Sequence, residues 1–421
     1  MLELRKGRLA ARSLLTVVLG ACTLLVLASA AWKGVCLDGS RNFRLTCYSD
    51  VLELWSSRDL VSHDFPYVGG RLVDGNPVGA FEYPVLTGVF LWFSALFADS
   101  RLSYLVVSTL LLGPFAVLVA WRLFQLTGRR ALLWAAAPAL ILYALHNWDL
   151  LAVAAAVGGI VAWHRGRSLR AAVLFGVGTC LKLYPGLFVL PLAADRLARG
   201  DRAGALRVLG VGAATVLAIN LPFVLADRQG WATTYVFQSA RSADLTSNSL
   251  WFWIAPIFTT DQLNLITPAL VLAGLLVAVA YGLVQARKGG EFPFLAVCGA
   301  ALVGFLLWNK ASSPQYTLWV LPFFALLRVR LGWWVAYAVS DALVYVGVFR
   351  WFHDLNTGTD FGLAKQLLIV GVWTKTALLG LLFVVFLRAT DALLVRPVQP
   401  THRPAVKASV VAASSGSAID R

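Results

Sequence analysis

Apolar runs long enough to cross a membrane recur along the whole chain, separated by short basic stretches and a few longer polar ones. The run 13–32 follows Arg5, Lys6, Arg8 and Arg12. Its length of about 20 residues, and the many runs after it, favour a retained first span over a cleaved signal. A polar segment, 33–101, comes next. Within it Pro84 to Phe97 is apolar but short for a ~30 Å hydrocarbon core, which predicts a partly inserted or interfacial helix. Further spans are predicted at 102–121, 131–146, 149–163, 171–181, 184–194, 204–225, 263–286, 292–309, 314–327, 331–350 and 364–388, twelve in all. Lys182-Leu183-Tyr184-Pro185 divides two half-length runs, because proline breaks the helical ladder and restricts the residue before it.

Basic clusters orient these spans. Arg122, Arg129 and Arg130, then Arg165, Arg167 and Arg170, then Arg196, Arg199, Arg202 and Arg207 all fall on the side of the N-terminus, as the positive-inside rule requires. Counting Pro84 to Phe97 as a full crossing would invert them. The expected organisation is a cytoplasmic tail (1–12), a transmembrane domain (13–394) and a disordered cytoplasmic tail (395–421) rich in Pro, Ser and Ala. Three external loops follow: 33–101, 226–262 and 351–363. Trp231, Trp251 and Trp253 in the second suit the lipid interface.

Composition agrees: the 421 residues are 59% hydrophobic and 14% charged, with a mean hydropathy of +0.74, against about 45–50% apolar and about 25% charged in soluble proteins. The expected fold class is an all-α polytopic membrane protein. A net charge of +15 does not signal nucleic acid, because the basic residues sit between spans. Abundant Arg and Ala with scarce Lys point to a high-GC bacterial genome, hence a bacterial plasma membrane. Cys36 and Cys47 lie in the first external loop, where a disulfide is chemically permitted; two free thiols are the alternative. The spacing of Cys and His gives no metal pattern, and no metal or cofactor is expected.

Candidate chemistry gathers on the external side. The first loop carries Asp38, Asp50, Glu53, Asp59, Asp64, Asp74, Glu82 and Asp99. Tyr48 and Ser49 flank Asp50, and Val51, Leu52, Leu54 and Trp55 begin an amphipathic helix after it, so Asp50 is either a reactive carboxylate or an N-cap. Glu82 and Asp149 carry the same pair of readings. Lys182 lies inside an apolar run, where a cation costs ~2.5–3.5 kcal/mol or more. It either holds a phosphate or pairs with a carboxylate such as Asp341. Lys310 to Tyr316 offers a cation, two hydroxyls and the Gln315 amide beside a helix start. Arg350, His353 and Asp354 border the third loop, where His353 is a proton acceptor, a phosphate donor or a solvated side chain.

Tyr48-Ser49-Asp50, Glu82-Tyr83-Pro84, Asn147-Trp148-Asp149, Lys182-Leu183-Tyr184-Pro185 and Ser313-Pro314-Gln315-Tyr316, in this order and on one face, resemble glycosyltransferase family 87. That family has the GT-C fold and includes the polyprenyl-phosphate-mannose-dependent α-1,2-mannosyltransferases (PimE-like enzymes) of phosphatidylinositol mannoside synthesis. The resemblance covers about residues 10–390. It implies a polyprenyl-phosphate sugar donor, a glycolipid or glycan acceptor and membrane lipids as partners, with Asp50 as catalytic base. Lys182, assisted by Lys310 or Arg350, would face the departing phosphate. Tyr48, Glu82, Tyr83, Asn147, Asp149, Tyr184, Gln315, Tyr316 and His353 would line the substrate. An arabinofuranosyltransferase is the alternative within the fold, and a lipid or polyol transporter the alternative outside it.

Overall fold

The computed structural model describes residues 2–395, apart from Asp59, 255–256 and 360–361, and leaves the side chains of 2–10 undescribed. Beyond Val395, the tail expected to be disordered lies outside the described residues.

The chain begins with α1 (Leu2–Gly34) and a disulfide-closed turn, Cys36 to Cys47, whose Cα atoms are 6.0 Å apart. The amphipathic helix α2 (Asp50–Ser57) buries Val51, Leu52, Leu54 and Trp55 on one face. A small antiparallel hairpin, β1 (Arg71–Val73) and β2 (Asn76–Val78), precedes α3 (Val85–Ala95), the short apolar helix of the first loop. Next come α4 (Arg101–Thr127), α5 (Leu132–Ala135), α6 (Ala139–Tyr143), α7 (Asp149–His164), α8 (Ser168–Leu181), α9 (Val189–Ala198) and α10 (Arg202–Ala226). The second half holds α11 (Arg228–Ala240), α12 (Leu250–Ile254), α13 (Thr260–Arg287), α14 (Phe294–Trp308), α15 (Thr317–Leu326), α16 (Leu331–Thr357) and α17 (Leu363–Arg388).

The protein is an all-α polytopic membrane protein. Among the described residues, six helical stretches are long and apolar enough to cross a bilayer: Ala11–Gly34, Arg101–Ala135, Arg202–Ala226, Thr260–Arg287, Leu331–Thr357 and Leu363–Arg388. These carry Leu24, Leu110, Leu225 and Leu265 on exposed faces, where lipid is the natural solvent. The other expected spans coincide with shorter helices. The apolar run 131–146 becomes two pieces, α5 and α6, on either side of Pro138, because proline restricts the residue before it.

The shorter helices form the centre. Nearly every residue of α7, α14 and α15 is buried. Helices apolar all round belong inside a bundle. Around them α1 packs on α4 and α6, α4 on α7, α7 on α8, α8 on α10, α13 on α14, and α14 and α16 on α17. Three expected loops or faces differ. The segment 226–262 contains α11, whose buried residues are Gly230, Thr233 and Thr234 rather than an apolar stripe. The segment 351–363 is helical as far as Thr357, with Gly358 closing it in the left-handed conformation at φ 66°. Trp251 does not face the interface: it is buried, and its indole donates to the Trp308 carbonyl oxygen at 3.0 Å.

Candidate functional site

The geometry converges at the N-terminal end of α7. Ser49 occupies the N-cap position of α2 without a side-chain cap. Its hydroxyl instead donates to the Leu145 carbonyl at 2.5 Å, and the Asp50 amide donates to the His146 carbonyl at 2.9 Å. Segment 48–50 is thereby strapped to 145–147. Lys33, fully buried at the end of α1, completes the strap by donating to the Tyr48 carbonyl at 2.7 Å and to the Tyr345 hydroxyl at 3.0 Å.

Asp50 is therefore not the N-cap. Its carboxylate accepts from the Tyr48 hydroxyl (2.9 Å), from Asn147 Nδ2 (2.6 Å) and from the Tyr83 hydroxyl (3.4 Å). Asn147 Nδ2 also donates to the Tyr83 hydroxyl at 2.9 Å, while its Oδ1 accepts from the Trp148 amide. Burial pushes the Asp50 carboxyl above the usual carboxylate range. The Asn147 and Tyr48 hydrogen bonds oppose that shift, the charge of Glu82 adds to it, and Lys182 opposes it. The same burial, with Asp50 nearby, pushes the Tyr48 and Tyr83 phenols up, so both stay protonated donors.

Lys182 ends α8 in extended backbone, where the helix stops before Pro185. It is buried, with Nζ 4.3 Å above the centroid of the Tyr83 ring and 3.8 Å from Asp149 Oδ2. That separation is an ion-pair contact too long for a hydrogen bond. The expected alternative partner of Lys182, Asp341, is engaged elsewhere, with Lys375 Nζ at 2.6 Å. Asp149 is not an N-cap either: Trp148 holds that position, and Asp149 Oδ1 accepts from the Trp319 indole at 2.7 Å. Trp319 is sandwiched in turn by Tyr184 at 4.3 Å and Tyr316 at 3.8 Å between ring centroids. One continuous chain of contacts thus joins Tyr48, Asp50, Asn147, Tyr83, Lys182, Asp149, Tyr184 and Tyr316, residues from all five sequence motifs.

The tight corner behind Lys182 depends on missing side chains. A Cβ at Gly178 would come within 2.7 Å of Pro185, and one at Gly186 within 2.8 Å of Thr179.

Other expected site residues stand apart from this chain. Glu82 does not cap α3, whose N-cap is Pro84; it pairs with Arg58 at 2.9 Å. Lys310 donates to Asn264 Oδ1 at 2.7 Å and reaches the carbonyls of Gln238 and Ser239, and burial lowers its ammonium from the usual lysine range. Arg350 is exposed and donates to the Arg44 carbonyl. His353 is half-buried on α16, and Gln315 is buried with Oε1 lacking a hydrogen-bond partner among the described residues. Lys33, Trp319 and Arg58 were missed by sequence reasoning. Lys33 reads as a span-end lysine reaching for water, and only its burial shows otherwise.

The arrangement offers two buried carboxylates, Asp50 and Asp149, a buried cation between them in the chain of contacts, and a stacked aromatic wall beyond. Comparison with known proteins agrees with that chemistry. The profile of glycosyltransferase family 87 matches residues 81–308. A curated relative, the catalytic subunit of GPI alpha-1,4-mannosyltransferase I from Danio rerio, is 29% identical over 183 residues, covering 38% of this chain. The chain spans 44% of that relative's length.

Proposed function

This chain belongs to glycosyltransferase family 87, and from that premise we propose that it transfers a mannosyl residue from a polyprenyl-phosphate-mannose donor to a hydroxyl of a glycolipid or glycan. The 13–394 region acts as one catalytic domain, with the first loop on the extracytoplasmic face of the membrane. The mannosyl assignment leans on the name of the Danio rerio relative. The linkage, α-1,2 by resemblance and α-1,4 in that relative's name, is read from the product.

The observation that carries the reading is the Asp50 carboxylate, held by Tyr48, Asn147 and Tyr83 beside Lys182. A polyprenyl phosphate is already a good leaving group, so one carboxylate suffices, unlike the pair that glycoside hydrolysis needs. The acceptor oxygen attacks the anomeric carbon as the sugar–phosphate bond breaks. Asp50 takes the acceptor's proton, and a β-linked donor gives an α-linked product. A carboxyl raised by burial is a better proton acceptor than a solvated one. Lys182 supplies positive charge to the leaving phosphate, and its slack contact with Asp149 leaves it able to turn toward an anion. The Tyr184–Trp319–Tyr316 stack offers an apolar face to sugar or prenyl carbon.

The test uses membranes carrying the full chain, a radiolabelled polyprenyl-phosphate-mannose donor and total lipid acceptors, with linkage analysis of the product. Asp50→Asn, which keeps the shape but cannot take the proton, is expected to lower transfer by about 10²–10⁴-fold. Full transfer by that variant overturns the base assignment. Label incorporated only from a polyprenyl-phosphate pentose overturns the mannosyl assignment.

A further inference from the structure

At the opposite end of α7 from Asp149 lies a second polar feature, which the transfer chemistry does not use. The 16 residues of α7 put it roughly 24 Å away, at the 1.5 Å rise per residue of an α-helix. There α4, α7 and α8 frame an open cavity of about 210 Å³ lined by half-buried Arg122 and by the exposed Arg165, Arg167 and Arg170. Its remaining wall is apolar, including Leu118, Val161 and Leu174.

Some arginines elsewhere at this end of the bundle have protein acceptors, while Arg129, Arg202 and Arg207 have no side-chain acceptor among the described residues. Arg130 donates to the carbonyls of Phe324, Ala325 and Leu327, Arg199 pairs with Asp195, and Arg196 pairs with Asp201. In the cavity only Arg122 has one, the Gln125 amide oxygen, and its guanidinium stacks on Trp121. Arg165, Arg167 and Arg170 make no side-chain hydrogen bond or ion pair among the described residues. Two of them also oppose the local helix field. Arg167 is the N-cap of α8 and Arg170 lies in its first turn, with no acidic residue there and no side-chain cap. A helix N-terminus carries partial positive charge and favours anions. Four cations line this cavity, two of them at an uncapped helix N-terminus, and its lining holds no acid, so an anion is the complementary occupant.

We propose that this cavity is a binding site for the headgroup of an anionic phospholipid, in the leaflet opposite Asp50. The phosphate is forked by the arginines and an acyl chain lies against Leu118, Val161 and Leu174. Guanidinium forks match phosphate oxygens in pairs, and basic pockets between membrane helices are suited to phospholipid headgroups. A free anion would use the arginines but leave the apolar wall empty. The lipid uses both.

The experiment titrates the purified full-length protein in mixed micelles with phosphatidylglycerol or phosphatidylcholine and counts retained lipid by native mass spectrometry. Each arginine removed should weaken phosphatidylglycerol retention about fivefold, and the triple variant Arg165→Gln, Arg167→Gln, Arg170→Gln on the order of a hundredfold. Phosphatidylcholine retention should not change. The single variant Arg167→Gln, expected to show the fivefold loss, decides the matter if the triple variant does not fold. Equal phosphatidylglycerol retention by wild type and folded variants overturns the site. Displacement of phosphatidylglycerol by an equal concentration of inorganic phosphate overturns the lipid assignment in favour of a free anion.

Discussion

Two buried lysines each face a buried aspartate, and they differ in how fully they are satisfied. Lys375 donates to Asp341 Oδ1 at 2.6 Å and to Thr317 Oγ1 at 3.3 Å, while Asp341 also accepts from Thr317 at 2.5 Å and from Tyr143 at 2.8 Å. That network ties α6, α15, α16 and α17 together and gives the carboxylate three hydrogen bonds, at least one on each oxygen. Lys182 and Asp149 stand 3.8 Å apart, and Asp149 Oδ2 has no hydrogen-bond partner among the described residues. Unmet hydrogen-bonding capacity in a low-dielectric interior is costly. The first pair's charge holds helices together, whereas the second pair's is only partly satisfied within the protein, as the proposed role of Lys182 toward the donor phosphate requires.

That contrast can be broken most forcefully at Asp341. Asp341→Ala strands the Lys375 ammonium and should lower stability by about 3–5 kcal/mol, measured as a lost thermal midpoint in detergent. The double variant Asp341→Leu, Lys375→Met should recover most of it, because no charge is left unpaired. Lys182→Met should do the reverse: a small change in thermal midpoint, but transfer reduced by about 10²–10³-fold, mostly in kcat. A Lys182 variant with a strongly lowered thermal midpoint but unchanged transfer per folded molecule would make both pairs structural. The smallest effect concerns the Asp50 surroundings. The proposed mechanism needs its base form, so activity should rise with pH through its raised pKa. Glu82→Gln removes a charge that adds to this shift, so the acid limb of the pH–rate profile should move to lower pH, by less than about one unit. Movement to higher pH would mean that Glu82 acts on Asp50 mainly through Arg58.

The long lipid-facing helices were legible from their apolar runs, since length against bilayer thickness is a strong constraint. The five motifs were legible too, and the structure connects residues from each of them. Partners were not. Asp341 and Lys375 both lie mid-span, and intramembrane charges tend to pair with one another, but Lys182, also within an apolar run, is an equally good partner for Asp341 in sequence. The partner of Lys182 depends on the direction in which the chain leaves α8, which no periodicity reports. Helix α11 was illegible for a different reason. It packs through Gly230, Thr233 and Thr234 against the hairpin and its flanks, and Thr234 donates to the Phe81 carbonyl at 2.7 Å. A polar helix buried by small residues has no apolar stripe to announce it.

The corner behind Lys182 carries one more consequence. Because Pro185 rests where a Gly178 side chain would begin, the reach of the ammonium into the site is set from the rear by an absence of volume. A single methyl group placed there touches neither donor nor acceptor, yet it acts as a shim under the cation. Under the proposed mechanism, the spacing between charge and leaving group is tunable from within the bundle, by a position that looks like inert membrane helix.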